Sequence, residues 1–291
     1  MIDLHTHTTA SDGRCTPAEL VARAAGAGVE VLSVTDHDTT AAAASTAAAC
    51  AHARIEFVTG IEITAVVDGV DVHVLGYFID PDAPALAAFL VEQRSRRVDR
   101  VRLMVERLAA LGIELDVDAI LRPGMEDTSK AAGRPWIARA LVNAGAVKDT
   151  REAFDKYLKR GQPAFVPRVG PLPAEVFSEI HAAGGLASLA HPGLLGRDDL
   201  IRGFVSAGLD AIEAHHSKHT AEDTARYLDL AAQHGVTVSG GSDYHGDASH
   251  DVVGIGGVSL PPELFQVLKG RRATRRATAS GASTSTSSSS S

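Results

Sequence analysis

The sequence predicts an α/β fold: a parallel sheet with crossover helices, rolled toward a barrel and interrupted by a helical insertion. Three observations predict it. Short apolar segments alternate with helical ones at both ends of the chain, as βαβ units require. Polar clusters follow those apolar segments, where barrel active sites lie, because strand ends hold side chains rigidly while loops vary. From about residue 80 to 170 the alternation gives way to mostly helical sequence. The 291 residues suffice for one barrel with a small insertion.

Taken in order, Ile2-Asp3-Leu4 starts a short strand that runs into His5-Thr6-His7. Thr16-Pro17-Ala18-Glu19 places threonine at N-cap, proline at N1 and glutamate at N3, a capping-box start for a helix reaching Gly28. Residues 31–34 form a buried strand, followed by Asp36-His37-Asp38 and an alanine-rich helix near 40–53. Residues 57–61 form a third strand delivering Glu62; Asp68-Gly69 signals a hairpin, and its return strand carries His73. Arg94, Arg96, Arg97, Arg100 and Arg102 then mark a solvated helix face within the insertion. The alternation resumes with a helix at 173–183, a strand at 186–190 and His191-Pro192-Gly193, a helix near 198–207 and a strand at 210–213. A helix at 221–234, a strand at 236–239 and Gly240-Gly241-Ser242-Asp243-Tyr244-His245 complete it. The expected organisation is a barrel of residues 1–80 and 170–270, a helical insertion at 81–169 that caps the substrate, and a disordered Ser-rich tail at 271–291.

The net charge of -8 argues against a broad basic surface for long nucleic acid. A small anionic substrate stays open, since bound cations invert the local potential. No apolar run is long enough to span a bilayer, and no signal-peptide pattern opens the chain. Cys15 and Cys50 provide no disulfide framework. A cytoplasmic protein with no membrane association and no evident stable protein partner is expected.

Thirteen histidines, many beside Asp or Glu, carry the main chemical signal. His5 and His7, two apart at a strand end, share a face and can reach one cation. Asp12 is either a turn aspartate or a ligand. His37 sits between Asp36 and Asp38, which are either orienting carboxylates or helix caps. Glu62 is the bridging candidate, because a carboxylate can span two cations. His73, His191, Asp243 and His245 complete nine potential ligands, six imidazoles and three carboxylates with no thiolate. Such a set suits two to three divalent transition metals, manganese first, with iron or zinc as alternatives.

These motifs resemble the polymerase and histidinol phosphatase (PHP) family: HTHTTASDG at 5–13, TDHD at 35–38, GIE at 60–62, AHPG at 190–193 and SDYH at 242–245. Within it, the likeness is to the stand-alone phosphoesterases of nucleoside 3′,5′-bisphosphates and short oligonucleotides, supported by the segments at 72–80, 133–147 and 154–168. The resemblance implies a distorted (β/α)7 TIM-like barrel. It also implies three metal positions: His5, His7, Glu62 and Asp243; Glu62, His73 and His191; and Asp12, His37 and His245. Arg134 falls where relatives hold phosphate, and Lys156, Arg160 and Arg168 lie in a resembling segment. Trp136 replaces a histidine common in relatives and either packs or stacks on a base. In the segment Glu213-Ala214-His215-His216, His216 is expected to act in catalysis and His219 to contact phosphate; Asp36 supports the ligands. The implied reaction is phosphate monoester hydrolysis, foremost of the 3′-phosphate of nucleoside 3′,5′-bisphosphates, by in-line attack of a metal-bridging hydroxide. The implied partner is a small phosphorylated substrate, a nucleotide or short oligonucleotide. The alternatives are 5′–3′ cleavage of short oligonucleotides, histidinol phosphate hydrolysis, and a non-catalytic metal-binding module.

Overall fold

A seven-stranded sheet in the order β1 to β7 forms the frame of the computed structural model, which describes residues 1–127, 130–248 and 251–284. The strands are β1 (Ile2–Asp3), β2 (Val31–Val34), β3 (Glu56–Val67), β4 (Val70–Tyr77), β5 (Leu186–Leu189), β6 (Ala211–His216) and β7 (Thr237–Gly241). Pairing is parallel except at β4, which runs antiparallel to both β3 and β5. Parallel pairing holds where βα alternation predicts it, and β4 is the return strand of the hairpin expected at Asp68-Gly69. The cause is local: Asp68 (φ 51°) and Gly69 (φ 68°) both take positive φ, as a two-residue hairpin turn that reverses the chain requires.

The sheet closes on itself. Leu4 N donates to Gly240 O at 3.2 Å, Asp243 N to His5 O at 2.8 Å and His7 N to Tyr244 O at 2.9 Å, so the end of β7 lies along β1. Gly241 permits this approach, since a Cβ there would stand 2.3 Å from the His5 amide nitrogen.

Helices α1 (Pro17–Gly26) and α2 (Ala43–Ala53) cover the first strands through a small core containing Leu20, Val21, Leu32 and Cys50. Thr16 makes the expected capping box with Glu19. The insertion comprises α3 (Pro84–Ala110), α4 (Val117–Glu126), α5 (Arg134–Asn143), α6 (Thr150–Ala153) and a π-helical turn (Phe154–Leu158). It has its own core around Met104, Leu108, Trp136, Ile137, Leu141 and Leu158. Helices α7 (Pro173–Ala182), α8 (Pro192–Leu195), α9 (Ile201–Ser206) and α10 (Ala221–His234) follow, and α11 (Pro262–Thr284) ends the described chain. The main core, with Tyr77, Phe177, Ile212 and Phe265, lies between sheet and outer helices.

Two expectations change. Arg97 and Arg100 are buried, 6% and 8% exposed, rather than part of a solvated face. They fall on the inward stripe of α3 with Leu90, Val101 and Met104, where polar heads find carboxylate and carbonyl partners. The stretch expected to be disordered from 271 is helical through Thr284, as α11 continues past that point, and Arg275 Nη2 lies 2.8 Å from His181 Nε2. Residues 285–291 lie outside the described residues.

Candidate metal centre

The carboxyl ends of the parallel strands converge on one mouth, which antiparallel β4 reaches through His73 in its first half. Three of them turn there through positive φ at a non-glycine residue: Asp38 (51°) after β2, His191 (28°) after β5 and Asp243 (56°) after β7. Such conformations cost on the order of 1–3 kcal/mol each and persist only where surrounding bonds over-determine them. Those bonds are present. Asp38 Oδ1 accepts from Thr64 N at 3.1 Å, His191 N donates to Glu213 Oε2 at 2.7 Å, and Asp243 N is held by the His5 carbonyl.

All nine expected ligands meet in this mouth. Glu62 is 1% exposed, and its two oxygens face different imidazoles. Oε2 lies 3.4 Å from His5 Nε2, 3.3 Å from His7 Nε2 and 3.2 Å from His37 Nδ1. Oε1 lies 2.7 Å from His73 Nδ1 and 3.2 Å from His191 Nε2. Asp243 Oδ1 is 3.4 Å from His5 Nε2 and 3.3 Å from His7 Nε2. Asp12 sits on the far side, 3.6 Å from both His7 Nδ1 and His37 Nε2 and 3.4 Å from His245 Nε2.

The donor set fits several divalent cations. His5 Nε2, His37 Nδ1 and both ring nitrogens of His7 are buried without a hydrogen-bond partner. Four groups place one ligand atom per residue within 4.8 Å of one another: His7, Asp12, His37 and His245; His5, His7 and Glu62; His37, Glu62 and His73; and His5, His216 and Asp243. Burial works against protonating His5, yet Glu213, Asp243 and Glu62 hold its imidazole well above the ordinary range. Against the same burial, Asp243, Glu62 and Asp12 lift His7 to about 10. His37 goes the other way: burial pushes it down to about 3, leaving a neutral imidazole able to ligate. Burial also works against charge on Asp12, Glu62 and Asp243, but the surrounding imidazoles prevail and hold all three well below the usual carboxylate range. Buried carboxylates thus stay charged among imidazoles, a cage in which cations could take the place of the imidazole protons.

A layer of carboxylates behind the mouth orients it. Asp36 accepts from Thr8 N (2.8 Å), Thr8 Oγ1 (2.6 Å) and Ser11 Oγ (2.6 Å), fixing the loop between His7 and Asp12. Glu213 binds His5 Nδ1 at 2.9 Å as well as the His191 amide. Asp3 accepts from Ser242 N, Ser242 Oγ and Gly256 N, anchoring the segment before Asp243. Neither Asp3 nor Glu213 is among the residues expected from the sequence to orient the ligands. The available signal was an acid inside an apolar strand, which burial makes costly unless it is bonded.

One cavity of about 340 Å³ joins the mouth to the insertion. Its walls bring Asp12, Glu62, His73, His191 and Asp243 together with five cations: Arg97, Arg134, Arg139, Arg168 and Lys218. Arg134 Nη2 and Arg168 Nε each lie 3.7 Å from Asp71 Oδ2, and Arg97 Nε pairs with Asp38 Oδ2. Burial, and then the neighbouring Arg97, push Arg168 down to about 9, so it stays charged at neutral pH. Pro135, Phe154 and Leu194 supply an apolar wall, with the Arg134 guanidinium 5.8 Å from the Phe154 ring centre.

Other expected contacts lie elsewhere. Lys156 is exposed and pairs with Glu152 at 2.6 Å, one helical turn away, and Arg160 is exposed; neither lines the cavity. His216 is 4% exposed and also off the cavity wall, its Nδ1 accepting from Lys218 N and its Nε2 facing Asp243 Oδ2 at 3.4 Å. His219 has both ring nitrogens engaged by backbone. Trp136 is buried, its indole donating to Ser11 O at 2.8 Å, so it packs and joins the insertion to the metal-site loop.

A barrel whose strand ends gather imidazoles and carboxylates around a cation-lined cavity defines a metal-dependent phosphoesterase, and comparison with known proteins agrees. The PHP domain profile matches residues 3–129, and the chain belongs to that family. It is 40% identical over 258 residues to a 3′,5′-nucleoside bisphosphate phosphatase of Chromobacterium violaceum, covering 86% of this chain and 90% of the relative. A 5′-3′ exoribonuclease of Salmonella typhimurium is 37% identical over 253 residues, 84% of each chain. Among solved structures, a metal-dependent phosphoesterase from Bifidobacterium adolescentis superposes with a TM-score of 0.85 at 32% identity, covering 92% of this chain and 95% of that one. An amidohydrolase from Chromobacterium violaceum, with bound sulfate and no metal, gives 0.82 at 37% identity, covering 93% and 96%.

Proposed function

We propose that this enzyme removes the 3′-phosphate from nucleoside 3′,5′-bisphosphates. The carrying observation is a cavity in which ligand-rich and guanidinium-rich walls face a common space. One phosphate would sit at the metal mouth. The second would sit against Arg134 and Arg168, whose carboxylate partners Asp71 and Asp38 are shared with Arg97 and Arg100, so that guanidiniums outnumber carboxylates there. The apolar wall of Pro135, Phe154 and Leu194 offers a face for the nucleoside. Binding energy from the remote phosphate then supports the chemical step. The 40% identical bisphosphate phosphatase favours this substrate.

His5, His7, Glu62 and Asp243 would hold one cation; Glu62, His73 and His191 a second; Asp12, His37 and His245 a third, with manganese the expected metal. When bound, these cations would polarise the phosphoryl oxygens and activate water. The protein's own part is positional and electrostatic. Glu213 and Asp36 fix the ligands, Arg134 and Arg168 orient the substrate, and Arg97 holds Asp38 beside His37. Residues 81–169 would act as the cap that closes over the nucleotide. The work is expected in the cytoplasm, where the free thiols of Cys15 and Cys50 would persist. Among the described residues, no helix is long and apolar enough to cross a membrane.

A second reading, 5′–3′ cleavage of short oligonucleotides, is favoured by the 37% identical exoribonuclease. One assay separates the readings: kcat/KM of the manganese-loaded enzyme on adenosine 3′,5′-bisphosphate, adenosine 3′-monophosphate, histidinol phosphate and a 5′-phosphorylated tetranucleotide. The bisphosphate should lead, releasing adenosine 5′-monophosphate. Equal efficiency on the two mononucleotides would reject a remote-phosphate site, and a leading oligonucleotide would select the second reading.

A further inference from the structure

His219 and His191 belong to different strand ends, and Gly193 connects them. The His219 ring has both nitrogens committed. Nδ1 lies 3.0 Å from Ala214 O, which can only accept, so Nδ1 carries the proton. Nε2 lies 3.2 Å from the Gly193 amide nitrogen, which can only donate, so Nε2 presents its lone pair. These two bonds define a single neutral tautomer. The ring also packs on Tyr227, centroids 5.2 Å apart, whose hydroxyl donates to Asp198 Oδ1 at 3.1 Å and accepts from Arg226 Nη2 at 2.8 Å. The seat is tight. A Cβ on Gly193 would come within 2.8 Å of His219 Cδ2 and 2.9 Å of Nε2, so glycine is needed for the loop to rest on the ring.

The loop held there carries His191 at φ 28°, ψ 57°, outside the regions that L-residues favour. Its own amide is pinned by Glu213. Pro192 has no N–H to offer. Gly193 therefore supplies the first amide beyond His191 that can anchor the turn. We infer that His219 is a positioning residue: by accepting the Gly193 N–H it fixes the strained turn that aims His191 Nε2 at Glu62, 3.2 Å away, and so sets the affinity of one cation position. The inference rests on His191 being a ligand, as proposed above.

The test is Mn²⁺ titration by calorimetry on chelator-stripped protein. His219→Phe keeps the ring against Tyr227 and removes both polar bonds; His219→Gln restores a donor and an acceptor. In the Phe variant one cation should bind roughly 10- to 100-fold more weakly, while the circular dichroism of the stripped protein stays native. The Gln variant should recover most of the affinity. Gly193→Ala should reproduce the weakening, without adding to it when combined with His219→Phe, and carries the test should the Phe variant fail to fold. Wild-type affinity at every cation position in both His219→Phe and Gly193→Ala overturns the inference, as does a Gln variant no better than Phe. His191→Ala separates the two claims. If it keeps every cation, the ligand assignment falls and this role with it. If it loses a cation while His219→Phe does not, the positioning role falls alone.

Discussion

At the scale of single residues, placement mattered more than residue type. His5, His7, His37, Glu62 and Asp243 were legible because strand periodicity and short spacing place them on one face of one mouth. Lys156, Arg160 and Arg168 looked alike in sequence, yet only Arg168 reaches the cavity, because contact across the insertion depends on how its helices pack. Glu213 and Asp3 were harder to see, since their partners His5, His191, Ser242 and Gly256 are remote in sequence. Arg168→Ala should lower kcat/KM for the bisphosphate by about 1.5–3 kcal/mol, the worth of a charge-assisted bond, roughly ten- to a hundredfold. It should change that for the 3′-monophosphate much less. Steady-state kinetics on both nucleotides reads this, and an equal loss on the two would remove Arg168 from the remote-phosphate site.

At the scale of elements, the period-2 and period-3.6 patterns located the strands and the helices α1, α2, α7, α9 and α10. They misjudged α3, where long basic side chains share the inward stripe with leucines. Arg97→Met should destabilise the fold by about 3 kcal/mol, because it leaves the buried Asp38 short of its main partner; Arg168, 3.5 Å away, holds the cost to the low end for a broken buried pair. A urea midpoint unchanged from wild type would contradict this. The docking of α11 makes a pH prediction. Burial works against the Asp210 carboxylate, but His181, the Ala187 amide and Arg275 hold its pKa below the ordinary value. A folded pKa below the unfolded one contributes stability above the unfolded value, roughly 3.9, and that contribution is lost as pH falls through the folded value. Asp210→Asn should therefore be less stable than wild type at pH 7, with the gap closing below about pH 4. Urea midpoints from pH 2 to 7 read the trend.

At the scale of the whole molecule, the barrel class and its metal mouth were legible from the order of the motifs, and the reversal at β4 from the Asp68-Gly69 turn. The antiparallel pairing of β4 with β5 was not, because the helical insertion separates the two strands in sequence. Elemental analysis of protein purified without chelator should find more than one transition metal per chain. Chelation should lower the melting temperature, since a cation held at a hundred times its dissociation constant adds about 2.7 kcal/mol. A chain with at most one metal and full activity would discard the three-cation assignment. Deleting residues 285–291 should change neither melting temperature nor turnover.

Closure of β7 onto β1 also orders events at the ribosome. His5 and His7 are synthesised long before Asp243, which shares their cation in the proposed centre, just as Asp12 and His37 precede His245. At roughly 5–20 residues per second, the early imidazoles wait on the order of ten seconds or more for their carboxylate. The nascent chain thus offers only a partial cage to passing ions, and firm metal capture waits until Asp243 has emerged. Ribosome-arrested chains ending before residue 237 should exchange manganese rapidly, whereas arrested chains extended beyond the tunnel past residue 270 should retain it. Catalytic competence would then arrive only with closure of the barrel.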